Sequence, residues 1–128
     1  MQRNTKLWLG RVITAIPVLF LVFDSVIKLM NIKPVQDSFR DLGWKHNLAL
    51  EIGILELVLL ALYLFPRTAI LGAVLWTGYL GGAIETHLRL DNPLFSHILF
   101  PLYVAVPLWL GLWLRDARLR VALQPRME

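Results

Sequence analysis

Cysteine is absent from the 128 residues, which removes disulfide frameworks, thiolate metal sites and thiol or persulfide chemistry. Charge is scarce: Asp, Glu, Lys and Arg make up 17% of the chain, against roughly 25% in a soluble domain. There is no glycine-rich phosphate loop, dinucleotide fingerprint or Ser-His-Asp order. Neither HxxxH nor ExxH spacing occurs, so no metal is expected, and the two span-end histidines are badly placed for haem. Heptads, internal repeats and low-complexity segments are also missing, which excludes a coiled coil and a repeat array.

What remains is apolar. Hydrophobic residues reach 57% and the mean hydropathy is +0.60. A 14.7 kDa domain has too little interior to hide that much apolar surface from water. The net charge of +4 raises the question of nucleic acid. The basic residues, however, cluster at the ends of apolar runs, where a membrane protein meets its lipid surface, so no nucleic-acid partner is expected. The composition reads as a single integral membrane domain, residues 1–128.

Four apolar runs are long enough to be spans, at about 8–30, 48–65, 68–88 and 96–114. The first imitates a signal peptide through Arg3 and Lys6, but it is too long and lacks a small-residue cleavage site, so it reads as retained. Pro66 and Arg67 alone separate the second and third runs, which predicts a tight antiparallel hairpin. The expectation is an all-α, antiparallel four-helix transmembrane bundle. Arg3, Lys6, Arg11, Arg67, Arg115, Arg118, Arg120 and Arg126 fall on the side of the termini, with Asp116 and Glu128 as its acids. The other side has Lys28, Lys33, Arg40, Lys45 and Arg89 with most of the acids. The positive-inside rule then puts both termini in the cytoplasm of a multi-pass inner-membrane protein, with the basic tail 115–128 against anionic headgroups. In the one long connection, residues 31–47, Pro34 suits a first helical turn and Gly43 its end. Val35, Phe39 and Leu42 share a face, so a short amphipathic helix in the exterior-side interface is expected, with Trp44 at headgroup depth.

A charge inside a span costs several kcal/mol and needs a reason. Following the chain through alternating spans gathers Asp24, Lys28, Glu51, Glu56, Glu85, His87, Arg89 and His97 in the exterior-side half, as in a polar cavity. Asp24, Glu56, Glu85, His87 and His97 are the candidates for acid–base work. Lys28, Glu51, Arg89, Trp76 and Tyr79 are the candidates for holding a ligand, the two aromatics as walls for a flat lipophilic molecule. Structural readings stand beside these. Asp24 and Lys28, four apart, can neutralise each other, and Glu51 and Arg89 can be plain interfacial groups. Glu56, at mid-span, must be protonated, paired across helices or facing water. Gly78, Gly81 and Gly82 predict a close-packed interface that takes Glu85 with it. Counted from the hairpin, Glu56 and Glu85 differ by about 12 Å in depth. A shared site would therefore need a ligand or a water path between them, with at least one of the two protonated at neutral pH.

The run ELVLLALYLFPRTAILGAVLWTGYLGGAIETHLR, followed by NPLFSHILFPLY and GLWLRD, resembles the DoxX-like family of small four-helix membrane proteins. The segment GRVITAIPVLFLVFDSVIKL and the Gly43–Trp44 pair also fit, and the match is most specific from Glu56 to Asp116. The resemblance implies a bundle with both termini cytoplasmic and an association with quinone-coupled thiosulfate oxidation or membrane oxidoreductase complexes. Glu85 departs from the family pattern, which commonly has a small apolar residue there. Three functions stay open. The first is a redox-associated protein that binds a quinone-like molecule and takes electrons from a partner protein. The second is a cofactor-free enzyme doing isomerisation, cyclisation or epoxide opening on an isoprenoid-like substrate. The third is an assembly or chaperone subunit without a ligand. A homo-oligomer is compatible with all three.

Overall fold

The structure, a computed structural model, describes residues 3–44 and 47–124; Lys45, Arg126 and Glu128, counted in the charge argument, lie outside them. It is all-α, with no strand among the described residues. Helix α1 (Arg3–Met30) begins earlier than the apolar run and stops where Asn31 turns left-handed at φ 51°, a conformation Asn tolerates better than most residues. Helix α2 (Lys33–Asp41) has Pro34 in its first turn and ends in a Schellman turn. There the Gly43 N–H reaches Arg40 O at 3.0 Å and the Trp44 N–H reaches Phe39 O at 3.1 Å, with Gly43 at φ +84°. Helices α3 (Ala49–Leu64) and α4 (Ala69–Arg89) are joined by the tight linker 65–68, where the Thr68 hydroxyl donates to Leu62 O at 2.7 Å.

The fourth apolar run is not one continuous α-helix. A π-helical turn, Leu94–Ile98, precedes α5 (Phe100–Arg115). Its wide bonds run from Ile98 N–H to Pro93 O and from Leu99 N–H to Leu94 O. Pro101, in the first turn of α5, lacks the N–H that would continue an ordinary ladder backward. The segment after Arg115 forms helix α6 (Ala117–Leu123), whose Leu119 joins the core at 4% exposure.

Helix α1 packs on α3 and α5, and α4 packs on the same two. Leu21, Leu60, Tyr63, Trp76, Leu108 and Leu112 form the centre. The outer faces carry Ile16, Leu19 and Phe23 of α1, Ile54 and Val58 of α3, Leu71 and Val74 of α4, and Val106 and Leu110 of α5, all exposed. Buried polar groups lie inside: Thr14, Ser25 and Glu56. Such an apolar exterior around a polar interior suits lipid as the surrounding solvent. Two helical stretches, Arg3–Met30 and Leu94–Arg115, are long and apolar enough to cross a membrane; α3 has 16 residues, fewer than the usual ~20.

The short amphipathic helix expected in residues 31–47 is present as α2, and its apolar face packs on the bundle: Val35 and Phe39 pack on Ala49 with Ile27, Leu48 and Ile52, docking the helix across the end of α1 and the start of α3. One expectation needs correction: the glycine row of α4 is not a packing seam. A Cβ placed on Gly78, Gly81 or Gly82 would meet no atom within 4 Å. The close approaches are elsewhere: a Cβ on Gly10 would stand 2.9 Å from Gly111 O, and one on Gly72 would stand 2.5 Å from the Tyr63 nitrogen. Spacing alone cannot tell a small-residue row that admits a helix from one that leaves a void.

Candidate functional site

The polar interior is organised by Lys28. Its ammonium lies 2.5 Å from Asp24 Oδ2, one turn earlier on α1, and 2.7 Å from Glu56 Oε1 on α3. It also donates to the Tyr79 hydroxyl of α4 at 3.4 Å, and that hydroxyl in turn donates to Glu56 Oε1 at 2.5 Å. All three ammonium hydrogens are thus used, and three helices are tied at one point. Glu56 is 1% exposed, so its carboxyl depends on these partners.

The remaining oxygen of Glu56 has an unusual neighbour. Ser25 Oγ lies 3.0 Å from Glu56 Oε2 and 2.7 Å from Leu21 O, yet a hydroxyl has one proton to give. A proton on Glu56 Oε2, donated to Ser25 Oγ, would satisfy both contacts and would leave the Asp24–Lys28–Glu56 group neutral.

Two cavities flank it. The larger, about 630 Å³, lies under α2 and between α3 and α4. Its apolar wall includes Ile27, Phe39, Trp44, Ile52 and Leu55, and its polar lining Asp24, Lys28, Ser38, Tyr79, Glu85, Thr86 and His87. Gly78 and Gly82 form part of this wall, so the absent side chains on α4 are what open it. Leu55, Gly78, Gly82 and Glu85 are exposed, which leaves the cavity open along that edge. The smaller cavity, about 260 Å³, lies between α1, α4 and α5 and includes Glu56, Ser96 and His97. Asp24, Lys28, Tyr79, Ala83 and His87 line both, so the polar cluster is the partition between them.

His87 and His97 stand edge to face with ring centres 5.6 Å apart. Asn92 donates its side-chain amide to His87 Nδ1 at 2.7 Å, and Ser96 Oγ lies 2.8 Å from His97 Nδ1. The π-helical turn carries His97 to the smaller cavity, in keeping with the use of such turns at functional sites. Among the described residues no group of three or more His, Asp or Glu is placed to hold a metal ion.

The sequence-derived candidates separate accordingly. Asp24, Lys28, Glu56, Tyr79, His87 and His97 come together around the partition. Glu85 lies exposed at the edge of the larger cavity, and among the described residues no ion pair joins it to Arg89 or His97. Glu51 is exposed and lines neither cavity. Arg89 also lines neither and donates to Leu42 O at 3.4 Å, fastening the loop after α2. Trp76 is not a cavity wall: it is fully buried in the core, edge-on to Tyr79 at 5.3 Å. Ser25 was missed by sequence reasoning, as were Phe39, Trp44 and Leu42 as lining groups; the apolar face assigned to α2 was the available signal.

The sequence pattern of the DoxX-like family matches residues 12–111, which include every one of these groups. The chain belongs to the DoxX-like family. No curated protein and no solved structure matches it. In this DoxX-like chain the matched region ends at Gly111, and α6 lies beyond it. Family membership and the apolar helices together make it a membrane protein.

Proposed function

We propose that this DoxX-like protein crosses the membrane four times as an antiparallel bundle, termini in the cytoplasm, and binds a lipophilic small molecule in the cavity beneath α2. The observation that carries the reading is the cavity's lining. One lining combines the apolar Phe39, Trp44, Ile52 and Leu55 with the polar Lys28, Asp24 and His87. Such a site suits a ligand with a hydrocarbon body and a carbonyl or hydroxyl head, the shape of a quinone or an oxygenated isoprenoid. In the quinone case the partition supplies and accepts protons through Glu56 and the histidines, and a partner protein supplies electrons. A redox-associated binding role follows.

A second reading is favoured by one observation. Glu85 has no ion partner among the described residues and stands beside the cavity, as a general acid or base would. Mass spectrometry of small molecules retained by purified wild type and by Glu85→Gln distinguishes the two. The binding role predicts the same lipophilic molecule in both. The enzyme predicts a substrate trapped by Glu85→Gln and turned over by wild type without a partner. Bulk phospholipid alone in both preparations would overturn the proposal and leave a ligand-free assembly subunit.

A further inference from the structure

At the opposite end of the molecule, the first turns of α1 meet the α5–α6 junction around a second kind of pocket. It encloses about 270 Å³ and is lined by Arg3, Lys6, Leu7, Leu114, Arg115, Ala117 and Arg120. Four of these side chains are cationic and none is acidic. Lys6, Arg115 and Arg120 are also half-buried, so water screens their mutual repulsion incompletely.

The protein does little to offset this charge. Asp116, the neighbouring acid, turns to Arg118 with a 2.8 Å ion pair and lines a different surface. Among the described residues no carboxylate lies within ion-pair distance of Arg3, Lys6, Arg115 or Arg120. Arg120 donates Nη1 to the Trp113 and Leu114 carbonyls at 2.7 and 2.9 Å, occupying the end of α5. Arg115 is held in place by Nε on Thr14 Oγ1 at 3.0 Å and by the Tyr63 ring, 5.1 Å from its guanidinium carbon. Four cations around one hollow, Arg115 and Arg120 among them held by hydrogen bonds to Thr14 and to the end of α5, are complementary to a multidentate oxyanion.

We infer that this pocket binds a phosphate-bearing anion, with Arg115 and Arg120 as fixed arms and Arg3 and Lys6 as the closing ones. The phosphate of an anionic phospholipid and free phosphate share this chemistry. Leu7 and Leu114 line the hollow, and Trp8, next to Leu7 in the chain, is 64% exposed, an apolar side chain available to a glycerol and its acyl chains. The inference is independent of the cavity under α2, since the two sites share no residue.

The test follows thermal unfolding of the full chain in neutral detergent while phosphatidylglycerol, phosphatidylcholine or inorganic phosphate is titrated at constant ionic strength. Wild type is compared with Arg3→Gln/Lys6→Gln, whose two positions make no side-chain hydrogen bond or ion pair among the described residues. Phosphatidylglycerol should raise the melting temperature more than phosphatidylcholine does, and the variant should need at least about tenfold more of it. A response to phosphatidylglycerol alone identifies the lipid headgroup as the source; an added response to inorganic phosphate identifies the anion itself. Equal responses of wild type and variant, or phosphatidylglycerol no better than phosphatidylcholine together with no phosphate effect, overturn the inference. Should the double variant lose helicity, Lys6→Gln alone is titrated, with the same two outcomes.

Discussion

Lys28 decides the character of the interior. It compensates Asp24 and Glu56 together, and removing either end of the Lys28–Glu56 pair leaves the other without its main partner. Breaking a buried pair from one side costs about 3–5 kcal/mol, whereas replacing both by apolar groups is often neutral. Lys28→Met and Glu56→Leu should therefore each lower stability in detergent by about that amount, and Lys28→Met/Glu56→Leu by much less than the sum. Additive losses would mean that the two side chains do not act as a pair. The identities of these residues were legible in the sequence, because a charge inside an apolar run stands out. The Asp24–Lys28 pair was legible from its four-residue spacing; the Lys28–Glu56 pair was not, and the reason is side-chain direction. On α1 the Cα–Cβ bonds tilt toward the helix N-terminus, so the long stem of Lys28 carries its charge deeper than its position suggests and brings it to Glu56.

At the scale of elements, two small features are directly testable. Gly72 closes the α3–α4 hairpin, where an added methyl would collide with backbone; Gly82 borders a void. Gly72→Ala should cost about 1–3 kcal/mol, and Gly82→Ala should be neutral or stabilising through helix propensity. Reversed melting shifts would put the packing seam on the other face of α4. Helix α6 hangs on Asp116, which accepts from the Arg118 N–H at 2.9 Å as an N-cap. The Arg118 side-chain hydrogen bond, reinforced by backbone N–H donors and charge, holds the Asp116 carboxyl below the usual carboxylate range. A depressed folded-state value means that the stabilisation is complete above the unfolded value near 4 and fades as pH falls through the folded one. The gap in melting temperature between wild type and Asp116→Asn should be constant above about pH 5 and close at lower pH. Helix starts and stops were mostly readable from Pro34, Gly43, Pro66 and the apolar periods. The π-helical turn was not, because its wide bonds answer to the geometry around Pro93 and Pro101 rather than to a local period.

For the whole molecule, the sequence carried the all-α class through composition, and helix order brought Asp24, Lys28, Glu56, His87 and His97 together while leaving Glu51 and Arg89 apart. It did not carry the cavities, because empty space depends on which helix faces a glycine row and where α2 docks. The proposed topology predicts opposite signals from reporters fused after Glu128 and near Asp37; equal signals would mean an odd number of crossings. The central claim concerns the space under α2, and Gly82→Leu addresses it without touching a polar group. Its side chain enters the larger cavity, where a Cβ meets nothing within 4 Å. Native mass spectrometry of wild type and Gly82→Leu, released from the same detergent, reports the mass and occupancy of any bound molecule. The account predicts a lipophilic adduct on wild type and its loss from a folded Gly82→Leu. The same adduct at the same occupancy on both proteins would contradict it.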